Sequence, residues 1–249
     1  MSRMFDLSGK AALVTGGNGG IGLGIVEGLA EAGARVLIVG RDRAKNEAAA
    51  AKSGAAAFAA DVTDEAQCRA AVAEAERLFG RLDILVNNAG TNIRTRPEAL
   101  ELADWHKVID TNLTSTHLMC QAAHGLLKRQ GGKVINIGSM MSIFGVPFSP
   151  AYAASKGGVV QYTKVLATAW AVDNIQANAI LPGWIDTELT QGARRQVQGL
   201  HETVLARTPA ARWGEPRDLA GLAVFLAAPA SDFITGTAIP VDGGYSVLG

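Results

Sequence analysis

Two cysteines among 249 residues are too few for a disulfide framework or a thiolate metal centre. Cys68 and Cys120 stand in stretches of helical pattern with no ligand spacing between them, and read as reduced, buried thiols of a cytoplasmic protein. Neither charge sign is in excess: 23 lysines and arginines balance 23 aspartates and glutamates. Without a basic block the chain is a poor match for nucleic acid or an anionic membrane surface, and neither partner is expected. No apolar run reaches the ~20 residues of a membrane-spanning helix. The opening MSRMFDLSGK lacks the apolar stretch of a secretory signal, so none is expected. The four histidines, His106, His117, His124 and His201, follow no metal or triad spacing, which leaves no metal site to predict.

What is present is largely apolar. Hydrophobic residues make up 48% and charged residues 18%, enough for a large core and unlike a disordered chain. Short buried runs alternate with longer helical patterns. Strands are expected at 11–15, 35–39, 55–60, 83–86, 133–137, 175–181 and 238–241. Helices are expected at 20–32, 44–53, 64–79, 104–129, 151–172 and 216–227, the third with Thr63 as its N-cap. Residues 184–210 are polar and less regular, and read as a lid. Such alternation predicts an α/β fold: a single doubly wound Rossmann-type domain over 1–249, with a seven-stranded parallel sheet covered by helices on both faces.

Four segments carry chemistry. The first strand runs into Thr15-Gly-Gly-Asn-Gly-Gly-Ile-Gly22, and a helix follows. Glycines there allow a tight turn and close approach to a pyrophosphate, and the helix start offers N–H groups and a positive dipole end. Gly16, Asn18, Gly20, Ile21 and Gly22 are therefore expected to touch a nucleotide. Asp61-Val62-Thr63 follows the third strand; its carboxylate either accepts from an adenine amino group or serves the next helix's N-terminus. Asn87-Asn88-Ala89-Gly90 follows the fourth, either a ligand-lined turn or an Asn-rich one. Tyr152-Ala-Ala-Ser-Lys156 places a phenol and an ammonium one helical turn apart. A free tyrosine titrates near ~10. A neighbouring ammonium favours the phenolate and brings it toward useful acid–base chemistry.

The combination TGxxxGIG, DVT, NNAG, Asn112, Ser139 and YxxxK resembles the short-chain dehydrogenase/reductase family over essentially the whole chain. Ser139 stands thirteen residues before Tyr152, as the family has it, and Pro182-Gly183 with Thr187 matches the loop after the sixth strand. The resemblance implies reversible hydride transfer between a nicotinamide and a carbonyl or secondary alcohol. Tyr152 is then the acid/base. Lys156 lowers its pKa and binds the nicotinamide ribose. Ser139 orients the substrate oxygen, and Asn112 holds a water in a proton relay. Asn88, Ala89, Gly90, Asp61, Val62, Pro182, Gly183, Ile185 and Thr187 become cofactor contacts. A non-catalytic cofactor-binding sensor of the same fold is the alternative.

The resemblance also bears on cofactor, substrate and assembly. Where NAD users carry an acid after the second strand, this chain has Gly40, followed at once by Arg41. NADP(H) is therefore expected to be preferred and NAD(H) tolerated, although Asp42 could turn inward in place of the missing acid. Arg94 is either a hook for a carboxylate, as in members acting on sugar acids, or a surface arginine. Met140, Met141, Phe144, Phe148 and Trp184 instead suit a larger apolar ketone or alcohol if they line the cleft. Apolar residues on the two long helices, including Leu113, Leu118, Val159, Val160 and Leu166, together with the resemblance, predict a homotetramer.

Overall fold

The computed structural model describes residues 3–248. β1 (Ala11–Thr15) is buried along its whole length, as a strand covered on both faces must be. It pairs in parallel with β2 (Arg35–Gly40) and with β4 (Ile84–Asn87), Ala12 lying between Val36 and Ile84. β3 (Ala56–Ala59) extends the sheet beyond β2, while β5 (Gly132–Ile137), β6 (Ile175–Pro182) and β7 (Ala238–Val241) extend it beyond β4. The order is β3-β2-β1-β4-β5-β6-β7 and every pairing is parallel. The chain reverses direction across the sheet between β1 and β4, and the crevice at their carboxyl ends is where such sheets take ligands.

Helices cover both faces. α1 (Gly20–Glu31) buries Ile25, Val26 and Leu29 against one face together with α9 (Ala220–Ala227). α3 (Glu65–Phe79), α5 (Ser115–Leu127) and α6 (Pro150–Ala169) cover the other, with Cys68, Met119, Cys120 and Leu166 inside. Burial pushes the thiols of Cys68 and Cys120 up to about 11 and about 12, so both are inert core groups near neutral pH. α2 (Arg43–Ser53) lies beside β2 and β3. Among the described residues no helix is long and apolar enough to cross a membrane.

Several boundaries differ from the sequence reading. α3 is capped by Asp64, whose carboxylate accepts from the Gln67 N–H, so Thr63 stands one residue too early. The expected helix over 104–129 begins earlier as α4 (Leu102–Ile109), passes through one π-turn at Asp110–Thr114, and continues as α5. Such inserted turns recur at functional positions, and Asn112 sits at the centre of this one. α6 stops at Ala169. The lid contains two helices, α7 (Glu188–Gln196) and α8 (Leu200–Arg207). Val159 and Leu166 are buried within the chain and add nothing to an outer apolar face; Val165, 53% exposed, does.

The opposite end of the sheet is tied by Asp83. Its carboxylate takes a forked bond from Arg81 (2.7 and 2.5 Å) and one from the Ala11 N–H at 2.9 Å, with the Lys10 ammonium 3.3 Å away. Burial alone would push this carboxyl up, but Arg81, the Ala11 N–H and the Lys10 charge together hold it below the usual carboxylate range. Hydrogen bonds to a charged group are worth ~1.5–3 kcal/mol, so Asp83→Asn is expected to lower stability by about that much in urea unfolding. Because the folded-state pKa is depressed, the contribution is complete above the unfolded value of ~3.9 and is lost as pH falls through the folded one. The gap between parent and variant should therefore close under acid.

Candidate active site

The cleft opens at the carboxyl ends of β1, β4, β5 and β6. Its floor is the glycine loop. Gly16 has φ +62°, a conformation that L side chains rarely adopt. A Cβ on Gly22 would stand 2.2 Å from the Gly16 carbonyl oxygen and 2.4 Å from Asn88 Nδ2, so only glycine fits there. Asn88 Nδ2 donates to the carbonyls of Thr15 and Gly16 at 3.0 Å each. Thr15 Oγ1 in return accepts from the N–H groups of Asn88 and Ala89 at 3.0 and 3.1 Å. The two turns are thus clasped. No side chain caps the N-terminus of α1, whose N–H groups face the loop. A cleft of about 420 Å³ runs past Gly16, Asn18, Gly20, Asn88, Ser139 and Lys156. The close backbone, the uncapped helix start and the elongated cleft fit a dinucleotide.

Tyr152 and Lys156 occupy successive turns of α6. Lys156 is 4% exposed; its Nζ donates to the Ile137 carbonyl at 2.6 Å and lies 5.8 Å from the centre of the Tyr152 ring. Ser139 begins a short turn over Met140–Ser142, its Oγ accepting from the Met141 N–H at 3.1 Å. Ser139 thus caps this turn and also lines the cleft. Asn112 Oδ1 accepts from the Thr91 N–H at 2.7 Å. Its Nδ2 donates to the Thr91 carbonyl at 3.0 Å and to Ser155 Oγ at 2.9 Å, and Ser155 Oγ donates to the Tyr152 carbonyl. Its amide thus clamps the irregular segment after Gly90 to the helix that carries Tyr152.

Burial dominates the electrostatics. It pushes the Tyr152 phenol up, against a hydrogen bond from Ser139 and the positive charge of Arg94. It brings Lys156 down to about 8. In this geometry the aid to the phenolate comes from Ser139 and Arg94 rather than from Lys156, whose Nζ is turned to a carbonyl. Arg94 is itself pushed down by burial and supported by Tyr152.

Beside Ser139 and Tyr152 a smaller cavity of about 70 Å³ is walled by Met140, Met141, Val146, Phe148 and Trp184, with Arg94 and Asn92 as polar elements. The buried Asn92 Oδ1 and Trp184 Nε1 have no hydrogen-bond partner among the described residues. Arg94 also reaches the lid, donating to Gln196 Oε1 and the Leu189 carbonyl at 3.3 Å each. Phe144 does not line this cavity; it packs edge-on against Tyr245 beneath Arg207.

Most of the expected residues meet. Gly16, Asn18, Gly20, Ile21, Asn88, Ala89, Gly90, Ser139, Tyr152, Lys156, Pro182, Gly183, Ile185 and Thr187 line the larger cleft. Arg94, Met141 and Trp184 line the smaller cavity. Gly22 and Asn112 act from behind the wall. Arg41, Asp61 and Val62 do not line the cleft: Arg41 is exposed, Val62 belongs to the core, and the Asp61 carboxylate is spent on the Thr63 N–H and hydroxyl. Asp42 does not turn inward, because it caps α2 by accepting from the Lys45 N–H. Sequence reasoning missed Lys45, which lines the cleft and pairs with Glu188 of the lid, and Asn46, Asn92 and Thr190. Their side chains reach the site only through tertiary packing. No group of three or more potential metal ligands occurs among the described residues.

Comparison with known proteins agrees with this geometry. Residues 16–246 match the family model described as Enoyl-(Acyl carrier protein) reductase. The chain is 42% identical over 248 residues to 2-dehydro-3-deoxy-D-gluconate 5-dehydrogenase of Formosa agariphila, covering 97% of this chain and 94% of that one. It is 41% identical over 252 residues to galactitol 2-dehydrogenase (L-tagatose-forming) of Cereibacter sphaeroides, covering 98% of each. The crystal structure of a gluconate 5-dehydrogenase from Burkholderia cenocepacia, in complex with NADP and tartrate, superposes with a TM-score of 0.92 at 42% identity, covering 98% of both chains.

The depressed Lys156 has a measurable consequence. Its folded pKa of about 8 lies below the unfolded value of ~10.4, so the unfolded chain binds more protons between them. Stability therefore rises with pH across that window. The cofactor-free protein should gain stability relative to Lys156→Met as pH is raised from 7.5 to 9.5, followed by parallel urea unfolding; a constant difference would refute the shift.

Proposed function

Because the chain belongs to the short-chain dehydrogenase/reductase family, we propose that this NAD(P)-dependent oxidoreductase acts on a sugar acid, oxidising a secondary hydroxyl or reducing the matching ketone. The observation that carries the reading is the Arg94 guanidinium in the same cavity as Tyr152 and Ser139. A carboxylate at Arg94 gains a charge-assisted hydrogen bond. The unpartnered Asn92 Oδ1 and Trp184 Nε1 suit a substrate with several hydroxyls, since each would otherwise stay buried and unpaired. The relatives named for gluconate and 2-dehydro-3-deoxy-D-gluconate support the same class. The apolar walls Met140, Met141, Phe148 and Trp184 favour a second reading, a larger apolar ketone.

The nicotinamide supplies the hydride acceptor or donor. The chain does the rest. Tyr152 takes the alcohol proton or returns it to the forming alkoxide, with Ser139 holding the same oxygen. Lys156 lines the cleft beside Gly90 and is placed to bind the ribose; to support the phenolate as well, its Nζ must leave the Ile137 carbonyl. Asn112 is a positioning residue: its amide is occupied by Thr91 and Ser155, so a relayed water would rest on other groups.

NADP(H) is the proposed cofactor. Gly40 offers no carboxylate to repel a 2′-phosphate, and the exposed Arg41 is free to pair with one. The proposed assembly is a cytoplasmic homotetramer of one-domain chains, supported by the exposed Val165 on α6 and Val172 just beyond it.

Three experiments test this reading. Tyr152→Phe should keep cofactor binding and lose ~10²–10⁴-fold in turnover. On a panel of sugar acids, neutral polyols and bulky ketones, Arg94→Ala should raise KM for the acids alone; activity confined to polyols or ketones, or indifferent to Arg94, would sink the sugar-acid assignment. In parallel kinetics Arg41→Ala should weaken NADPH by about ten- to a hundredfold and leave NADH nearly unchanged, a charged hydrogen bond being worth ~1.5–3 kcal/mol. A parent enzyme that prefers NADH would overturn the cofactor assignment.

A further inference from the structure

The Ala-rich helix α2 buries one amide. Asn46 is 1% exposed, and a buried amide is costly unless its polar atoms are bonded. Here they are. Nδ2 donates to the Gly40 carbonyl at 2.7 Å and to the Phe58 carbonyl at 3.1 Å, joining the ends of β2 and β3. Oδ1 accepts from Asn18 Nδ2 of the glycine loop at 2.6 Å. One side chain thus ties the adenosine end of the cleft to the loop expected to hold the phosphates.

The same amides press on Gly40. A Cβ there would stand 2.7 Å from Asn46 Oδ1 and 2.8 Å from Asn18 Nδ2, closer than real Cβ atoms come. Gly40 does not have the positive φ that would itself demand glycine. The residue is therefore glycine for lack of room. A carboxylate would add to that overlap the repulsion of Asn46 Oδ1. We infer that Asn46, acting with Asn18, determines cofactor specificity by filling the space that an acidic side chain at position 40 would need. The absence of an acid is thus imposed from α2, and no substitution of Gly40 alone can create an NAD-type site. The inference rests on the reading that the cofactor's adenosine ribose lies at the end of β2.

The test is a set of paired variants: Gly40→Ala and Gly40→Asp, each alone and each with Asn46→Ala. Asn46→Ser, which keeps one donor on a shorter side chain, replaces Asn46→Ala if the latter does not fold. Melting of the cofactor-free proteins and fluorescence titration with NADPH and NADH are the readouts. Gly40→Ala alone is expected to lower the melting temperature by about 5 °C or more, and by much less when Asn46 is already truncated. Gly40→Asp alone should weaken both cofactors. Gly40→Asp with Asn46→Ala should move the NADPH-to-NADH ratio of Kd values about tenfold toward NADH. Additive melting effects, or a Gly40→Asp single variant that melts like the parent and prefers NADH, would overturn the inference alone. Strong coupling in melting with an unmoved Kd ratio in the double variant would overturn the placement of the ribose, and the specificity role with it.

Discussion

Where β1 and β4 end, two turns pass so closely that no Cβ fits between them. The Asn88 amide fills the gap, bonding the carbonyls of Thr15 and Gly16 while Gly22 closes over it. From this contact the rest of the site is built outward. Gly16 and Gly22 set the start of α1. Beyond Gly90, Asn112 grips Thr91 and passes the restraint through Ser155 to the Tyr152 carbonyl. Each bond contributes only ~1 kcal/mol net, but unmaking one leaves a buried group unpaired, so the chain acts together.

Burial then sets the acid–base character. Desolvation works against charge on both Tyr152 and Lys156. With Lys156 at about 8, roughly ten protonated molecules stand to one neutral at pH 7, so its positive charge survives. Tyr152 starts as the phenol. That state is suited to donating a proton to a forming alkoxide, and its ionisation in the reverse direction depends on the positive groups around it. Arg94 is one of these and also lines the smaller cavity, so the two sides of the cleft are electrostatically joined.

The seven strands and the lining of the cleft were legible because each rests on local sequence. Buried runs mark strands, glycines mark the loop, and Tyr152 and Lys156 share a helical face. Three kinds of feature were not. The π-turn around Asn112 leaves no mark in hydrophobic periodicity, because one inserted residue only shifts the pattern's phase. Asp64 outcompeted Thr63 as a cap by geometry within a single step of the chain. Nothing in the spacing of the helix over 44–53 singles out Asn46; its role exists only because β2, β3 and the glycine loop converge on it.

The lid joins these themes. Its base is apolar: Ala193, Leu200, Val204 and Trp213 form a small core of their own, with Trp184 packed against it. The bonds that pin α7 over the cleft are of another kind. Lys45 meets Glu188 with both side chains more than half exposed, and Arg94 holds Gln196 and Leu189 only at 3.3 Å. Exposed ion pairs of this type are worth ~0–1 kcal/mol and weaken with salt. The segment is therefore firm at its root and lightly latched at its rim. Both latch cations, Lys45 and Arg94, line the cavities themselves, so an anionic ligand entering the cleft competes with the lid for the groups that close it.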